Sequence, residues 1–428
     1  MKMENSWWQC YLILIAGFVS PVAEADVDYE LRVGGAFTDN VRRNDLAIED
    51  QWVAIAGLKF DASRESTRFD GSFLADLQFN KYMDDAFENE NLSSFELDAE
   101  FKLAPDVFHW VVFDKFGVLQ QDPFRADTPE NRENVNLFET GPDLTVRLGD
   151  QGSAKLGGRY RSNKFEISNI DNTTVTGSLS LSRALSPNRI LSLNGSADRI
   201  EFEDSVAYSD FDRKSAYLGF TSKISNGSLT LNIGVNELLI EGETYSGTLM
   251  GLSWSRQLTN ISTINVNYNE RFSDAGDLFR RYESYGDRPG DAQPFTPTGD
   301  PFEVSALRIG YDYEKERSTF LISALFSEDT YQNQTGLDSQ RMGGRIGLSR
   351  GSESGWTVGA DLRFETRDFE TSDQQDDYLD AILRISRRLT RTVSLSFEYL
   401  YSERTSNQVG QDYSENRYTL LFLFGPQN

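Results

Sequence analysis

The chain has 428 residues, 67 of them acidic and 42 basic, giving a formal charge of −25. An acid excess of this size argues against nucleic acid as a partner, because phosphates require a basic footprint. The only cysteine, Cys10, and the only histidine, His109, exclude disulfide staples, thiolate metal centres and histidine-rich zinc sites, so no cofactor or metal is expected.

The N-terminus reads as an address label. Lys2 precedes the apolar run Tyr11 to Val19, and Ala23-Glu24-Ala25 supplies a small-x-small pattern, predicting a signal peptide over 1–25 cut before Asp26. The run is shorter than the ~20 apolar residues of a spanning helix, and no later stretch approaches that length. One domain is expected over 26–428. Mean hydropathy is −0.49, as for a soluble chain or for a barrel that hides its apolar surface one residue in two.

Period-two alternation begins immediately. Val27 to Phe37 puts Tyr29, Leu31, Val33 and Phe37 on one face and Asp28, Glu30 and Arg32 on the other, and Trp52, Ala54, Ala56, Leu58 and Phe60 mark the strand back. Phe69 to Phe79 opposes Phe69, Phe73 and Leu77 to Asp70, Asp76 and Gln78. In the next strand Phe95, Leu97, Ala99 and Phe101 alternate with Glu96, Asp98, Glu100 and Lys102. Four charges on one face do not meet hydrocarbon, so this face looks into a lumen. Val107 to Leu119 is apolar on both faces, which leaves its register open. Asn134 to Leu148 is broken by Gly141-Pro142, where a bulge or kink is expected because proline donates no ladder bond.

Further strands recur at 154–162, 174–185, 189–202, 213–224, 228–238, 246–258 and 261–272, then at 302–313, 318–326, 341–350, 356–365, 378–389, 393–401 and 416–424. The last sets Tyr418, Leu420, Phe422 and Phe424 on one face. That suits the closing strand of a membrane barrel and would be an adhesive edge in a soluble protein. Short linkers near Ala62, Pro105, Gln151, Pro187, Asn226, Asn260, Glu316, Gly351 and Thr390 alternate with long ones. The long ones lie near Asn44, Asp85, Thr128, Asn169, Val206, Glu241, Gly286, Thr335, Ser372 and Gln408. The pattern predicts an all-β, transmembrane antiparallel up-and-down barrel of about 20 strands, with about 18 as the alternative, both ends on the tight-turn side. Aromatics toward strand ends, among them Tyr29, Phe37, Trp52, Tyr268, Phe302, Trp356 and Phe424, are expected to form two interfacial girdles.

The inward parity nominates lumen-lining residues: Arg32, Asp70, Asp76, Glu96, Asp98, Glu100, Arg159, Arg161, Arg308, Asp361, Arg363, Arg384 and Glu398, with Lys155 and Asp380 beside them. Mixed charges offer hydrogen bonds to a hydrated glycan; alternatively they pair across the lumen and seal it. Ser273 to Pro301 exceeds what a hairpin needs and is the candidate gating loop, with Asp277, Arg280, Arg281, Tyr282 and Tyr285. Phe279, Tyr282, Tyr285 and Phe295 stack on sugar rings or pack the loop onto the rim. No enzyme is expected: His109 lies in the apolar Val107-Phe108-His109-Trp110-Val111, and the spacing of Glu96, Asp98 and Glu100 arises in any polar lumen.

Two segments carry a resemblance, Gly34-Gly35-Ala36-Phe37-Thr38-Asp39-Asn40-Val41 and Asn131-Arg132-Glu133-Asn134-Val135-Asn136-Leu137-Phe138-Glu139-Thr140-Gly141-Pro142-Asp143-Leu144. They resemble outer-membrane β-barrel proteins encoded with bacterial exopolysaccharide export systems, including those paired with PEP-CTERM protein sorting. The resemblance implies a Gram-negative outer-membrane channel helping to export a surface polysaccharide. Its partners would be outer-membrane lipid, lipopolysaccharide, the polysaccharide and periplasmic export components. Gly425 to Asn428 departs from the usual ending on a terminal Phe. A general porin or a closed scaffold barrel is the other reading.

Overall fold

An extended backbone in hydrocarbon has no water to satisfy its N–H and C=O groups, so membrane strands are stable only when no edge stays unpaired. The computed structural model, which describes residues 26–84, 86–281, 297–370 and 372–426, meets that condition with twenty antiparallel strands in one closed sheet. The expected signal peptide lies outside the described residues. The first ten strands are β1 (Asp26–Thr38), β2 (Gln51–Glu65), β3 (Phe69–Tyr82), β4 (Glu90–Ala104), β5 (Phe108–Gln120), β6 (Arg132–Leu148), β7 (Gly152–Phe165), β8 (Asn172–Ser186), β9 (Arg189–Phe202) and β10 (Phe211–Ile224). The next five are β11 (Gly227–Ile240), β12 (Glu243–Thr259), β13 (Ser262–Ser273), β14 (Phe302–Lys315) and β15 (Ser318–Tyr331). The last five are β16 (Ser339–Gly351), β17 (Trp356–Phe369), β18 (Gln374–Arg388), β19 (Val393–Ser406) and β20 (Tyr413–Phe424). A short helix, α1 (Ala275–Arg281), follows β13.

Each strand pairs with its sequence neighbours, and β20 pairs back onto β1 from Leu31↔Phe424 to Thr38↔Arg417. Gly34 makes this seam possible, because a Cβ there would run into the backbone carbonyl of Leu420. Paired residues share a face, so the registers carry one orientation around the ring. Tyr29, Leu31, Val33, Trp52, Leu77, Phe364, Tyr418 and Phe422 face outward and are exposed. Midway along β5, Asp114 breaks the outer pattern: it points outward and accepts a hydrogen bond from Asn136 Nδ2 at 2.7 Å.

Three expectations need correction. The connection at Glu241 is a two-residue hairpin turn with φ of 51° at Glu241 and 89° at Gly242. Positive φ at both centres matches the right-handed twist of the flanking strands, so no long loop is needed. At Pro142 the β6–β7 ladder skips two pairs, yet Thr140↔Tyr160 and Asp143↔Gly157 stay in one register; the shifts fall at Lys102/Ala104, Ala184/Ser186 and Gln257/Thr259, beside tight turns. Phe302 belongs to no girdle: it is fully buried on the inner face, packed against a tilted Tyr331 ring with centroids 4.7 Å apart.

Several strands also extend past the expected boundaries at their long-loop ends. β15 runs to Tyr331, β17 to Phe369, and β18 starts at Gln374. Those extensions carry Thr330, Asp368 and Gln375 outward, so the polarity pattern stops at the lipid boundary while the hydrogen-bond ladder continues.

Replacing Gly34 by Leu is expected to destabilise the closed ring by about 1–3 kcal/mol through overpacking at the β1–β20 seam. Loss of the folded band in unheated electrophoresis at a lower urea concentration than for the native chain would show it.

Candidate functional site

The nominated lumen residues all take inward positions, and the structure shows what they touch. Arg32 reaches over β2 to Asp76 on β3, a path open because position 57 is glycine: a Cβ there would lie 3.2 Å from Arg32 Nε. Lys102 pairs with Asp70, His109 Nδ1 meets Glu100 Oε1 at 2.5 Å, and Lys115 lies 3.4 Å from Glu96. Asp98 sits between Glu96 and Glu100 on β4. Arg159 makes a two-pronged contact with Asp143, which Lys155 also approaches at 2.8 Å. Arg345 and Arg363 flank Asp361 at 2.6 and 2.8 Å, and Arg384 holds Glu398 at 2.7 Å. Arg308 faces inward from β14 opposite Asn267. Apart from Arg363 with Asp361 within β17, these pairs join neighbouring or next-neighbouring strands. They run along the wall rather than across the lumen, so the expected alternative of charges bridging the lumen is not the arrangement found.

What does enter the lumen is the segment after β13. Asp274 caps α1 by accepting the N–H of Asp277 at 2.9 Å. Asp277, 2% exposed, then receives Arg161 Nη1 from β7 and Arg213 Nη2 from β10, each at 2.7 Å. Arg213 also holds Asp274 at 3.1 Å and Asp198 at 2.9 Å. Arg280 binds Glu139 at 2.9 Å and lies over the Phe113 ring at 5.2 Å, and Glu139 is shared with Arg161. Arg281 is exposed, and Tyr282, Tyr285 and Phe295 lie outside the described residues. Phe279 does not offer its ring to a ligand: it is fully buried against Gly117, beneath the Lys115 ammonium at 5.6 Å. Around it, Phe113, Leu137, Ile200, Phe211, Leu238 and Ala275 form an apolar core inside the barrel. This explains why β5 reads apolar on both faces: its outer face meets lipid and its inner face meets α1.

A second inward element escaped the sequence reading. The loop 121–131 between β5 and β6 is tied internally by Asn131, whose Nδ2 donates to the carbonyls of Asp122 and Ala126 at 2.8 and 3.0 Å. It reaches β17–β19, where the Phe124 ring packs tilted against Phe369 at 4.5 Å and the Phe124 carbonyl accepts from Arg404 Nη2 at 2.8 Å. Arg404 is fully buried with Asp376. Arg43, in the loop after β1, joins the carbonyl of Asp127 to Glu415. The available signal was Asn131-Arg132 inside the resembling segment, together with the length of the loop. Below these elements a cavity of about 330 Å³ gathers Arg32, Asp76, Arg384 and Glu398 with Leu400 and Leu421.

Burial opposes ionisation of Asp277, but Arg213, Arg161 and Arg271 outweigh it and hold the carboxyl well below the usual carboxylate range. Burial, and then the Asp277 charge, push Asp274 the other way.

The segment 316–422 matches the family described as "Putative beta-barrel porin 2". No curated protein sequence matches the chain. Among solved structures it is similar to the copper transporter OprC, at 11% identity, TM-score 0.46, covering 94% of this chain and 80% of that one. It is similar to the FrpB iron transporter of Neisseria meningitidis (F5-1 variant), at 10% identity and TM-score 0.44, covering 95% and 84%. The siderophore receptor PirA of Acinetobacter baumannii aligns at 9% identity and TM-score 0.47, covering 94% and 80%. The chain is a closed, twenty-stranded antiparallel β-barrel whose segment 316–422 is similar to that porin family.

Asp277→Asn is expected to loosen α1 by about 3–5 kcal/mol, the usual cost of leaving a buried charge without its partner. Faster trypsin cleavage after Arg280 and Arg281 at pH 8 than in the native barrel would register it. The sign with pH is also set. A carboxylate held low stabilises above its ordinary value of about 3.9 and stops doing so only as pH falls through the depressed one, while a raised carboxyl such as Asp274 adds stability on acidification. Bilayer conductance is therefore expected to stay flat from about pH 8 to about pH 5, and a rise within that window would contradict the assignment.

Proposed function

We propose that this barrel is a passive outer-membrane channel for export of a surface polysaccharide, with a mouth narrowed by α1 and the loop 121–131. The observation that carries this reading is the lateral pairing of the wall charges. Arg32 with Asp76, Arg159 with Asp143 and Arg384 with Glu398 neutralise one another along the wall, leaving a hydrated surface of low net field between them. Barrels of about 16–18 strands already leave an aqueous channel. Among the described residues only loops and the short helix α1, and no separate domain, enter this lumen. A chain of hydroxyls slides along such a wall by exchanging hydrogen bonds, without a single strong site to arrest it. The resemblance of 34–41 and 131–144 to barrels of export systems supports this reading. Both stretches have identifiable physical work: Gly34 permits closure, and Asn131 organises the loop across the mouth.

A porin for small solutes is the second reading, favoured by the family match over 316–422. Deleting the gene separates the two: loss of secreted polysaccharide with unchanged small-solute uptake supports export, and the reverse supports the porin. The mouth is tested by Asp277→Asn combined with Arg280→Gln, for which single-channel conductance is expected to rise by about half or more. Unchanged conductance would remove α1 from any gating role.

A further inference from the structure

The wall has two chemically different sides. From β14 through β20 to β7 its inner face carries both acids and bases, among them the pairs described above. On β8–β13 the registers place only uncharged groups inward between the level of Asp198 and Arg213 and the turn-level Lys223, apart from Arg271 on β13, which lies near Tyr217 and in the field of Asp277. They include Ser180, Asn194, Tyr217, Asn232, Ser253 and Asn267. Six strands span five spacings of about 4.8 Å, so this face is roughly 24 Å around the circumference, enough for several sugar rings.

We infer that this face is a glycan-binding track selective for uncharged, hydroxyl-rich chains. The inference rests on the export reading and names its substrate class. A polyanion calls for inward Arg or Lys to meet its carboxylates or phosphates in charge-assisted bonds. Apart from Arg271, the track has none. A neutral sugar hydroxyl is both donor and acceptor, and amides and hydroxyls reciprocate both roles.

Side chains along the track are organised for this. Ser180 Oγ donates to Asn194 Oδ1 at 2.7 Å, and Asn194 Nδ2 donates to Ser192 Oγ at 2.9 Å, which fixes the orientation of the Asn194 amide. Next to it Asn232 lies over two glycines. A Cβ at position 219 would meet Asn232 Oδ1 at 3.1 Å and Asn194 Nδ2 at 3.2 Å, and one at 251 would meet Asn232 Nδ2 at 3.2 Å. The glycines thus form a shallow floor on which the amides converge. Among the described residues the amides of Asn232 and Asn267 make no hydrogen bond, so both present donors and an acceptor to the lumen. Tyr217, inward on β10 beside Asn194 and Gly234, adds an aromatic face with a polar tip. At the edge, Asn265 Nδ2 donates to Asp312 Oδ2 at 2.9 Å, where the charged wall resumes.

The test is isothermal titration of the purified full-length barrel in lauryldimethylamine oxide micelles. The probes are a neutral gluco-hexasaccharide and a hexameric oligogalacturonate. The neutral hexamer is expected to bind at least fivefold more tightly. Asn232→Leu with Tyr217→Ala is expected to weaken it at least tenfold, and the milder Asn232→Gln and Tyr217→Phe to keep most of the affinity, with folding verified by heat-modifiable mobility. No binding of the neutral hexamer, equal or tighter binding of the acid, or native affinity in the folded Leu/Ala variant would each overturn the track. Polysaccharide export that persists in the deletion strain would overturn the export reading alone, because the titration does not depend on it.

Discussion

The obligation to pair every backbone group inside hydrocarbon is the constraint from which this molecule follows. It turns a set of alternating segments into one closed ring, since any free edge between β1 and β20 would leave a row of unsatisfied N–H and C=O groups in lipid. The seam is tight enough that position 34 has no space for a side chain. Closure at twenty strands then creates a second problem. Side chains fill a ring of about eight strands but not one of this girth, so the interior must be wet or occupied by loops.

Both solutions are used, in different places. Along most of the wall, acids and bases from adjacent strands satisfy one another, so charges leave bulk water without losing partners. Near the mouth on the β5–β11 side, the interior is dry: α1 brings Phe279 and Ala275 onto an apolar inner face, and its acids meet arginines already planted in the strands. Apolar burial gives that contact its strength, and the ion pairs give it one register. Asp277 fits between Arg161 and Arg213 in a single position, whereas a purely apolar helix would slide.

The loop 121–131 approaches from the other direction and ends against a fully buried Arg404–Asp376 pair. Two elements from distant parts of the chain therefore narrow the same opening. The charged cavity lies on one side of the interior and the uncharged amide and hydroxyl face on the other.

The fold was legible in the sequence because lipid imposes a local rule. Outward residues must be apolar, inward ones need not be, and the period of two exposes the difference within each strand; Glu96, Asp98 and Glu100 against Phe95, Leu97 and Ala99 are enough to orient β4. Inward parity of the nominated charges was legible for the same reason. Which acid meets which base was not, because pairing depends on register between strands, as Arg32 shows by crossing a glycine to reach Asp76. The strand ends above the membrane were missed because the lipid rule stops there. Phe302 was misassigned because an aromatic at a strand end looks the same whether it faces lipid or an internal core. The paths of α1 and the loop 121–131 were decided only by contacts between residues more than a hundred positions apart, such as Arg161 with Asp277 and Phe124 with Phe369, and no local pattern encodes a meeting of that kind.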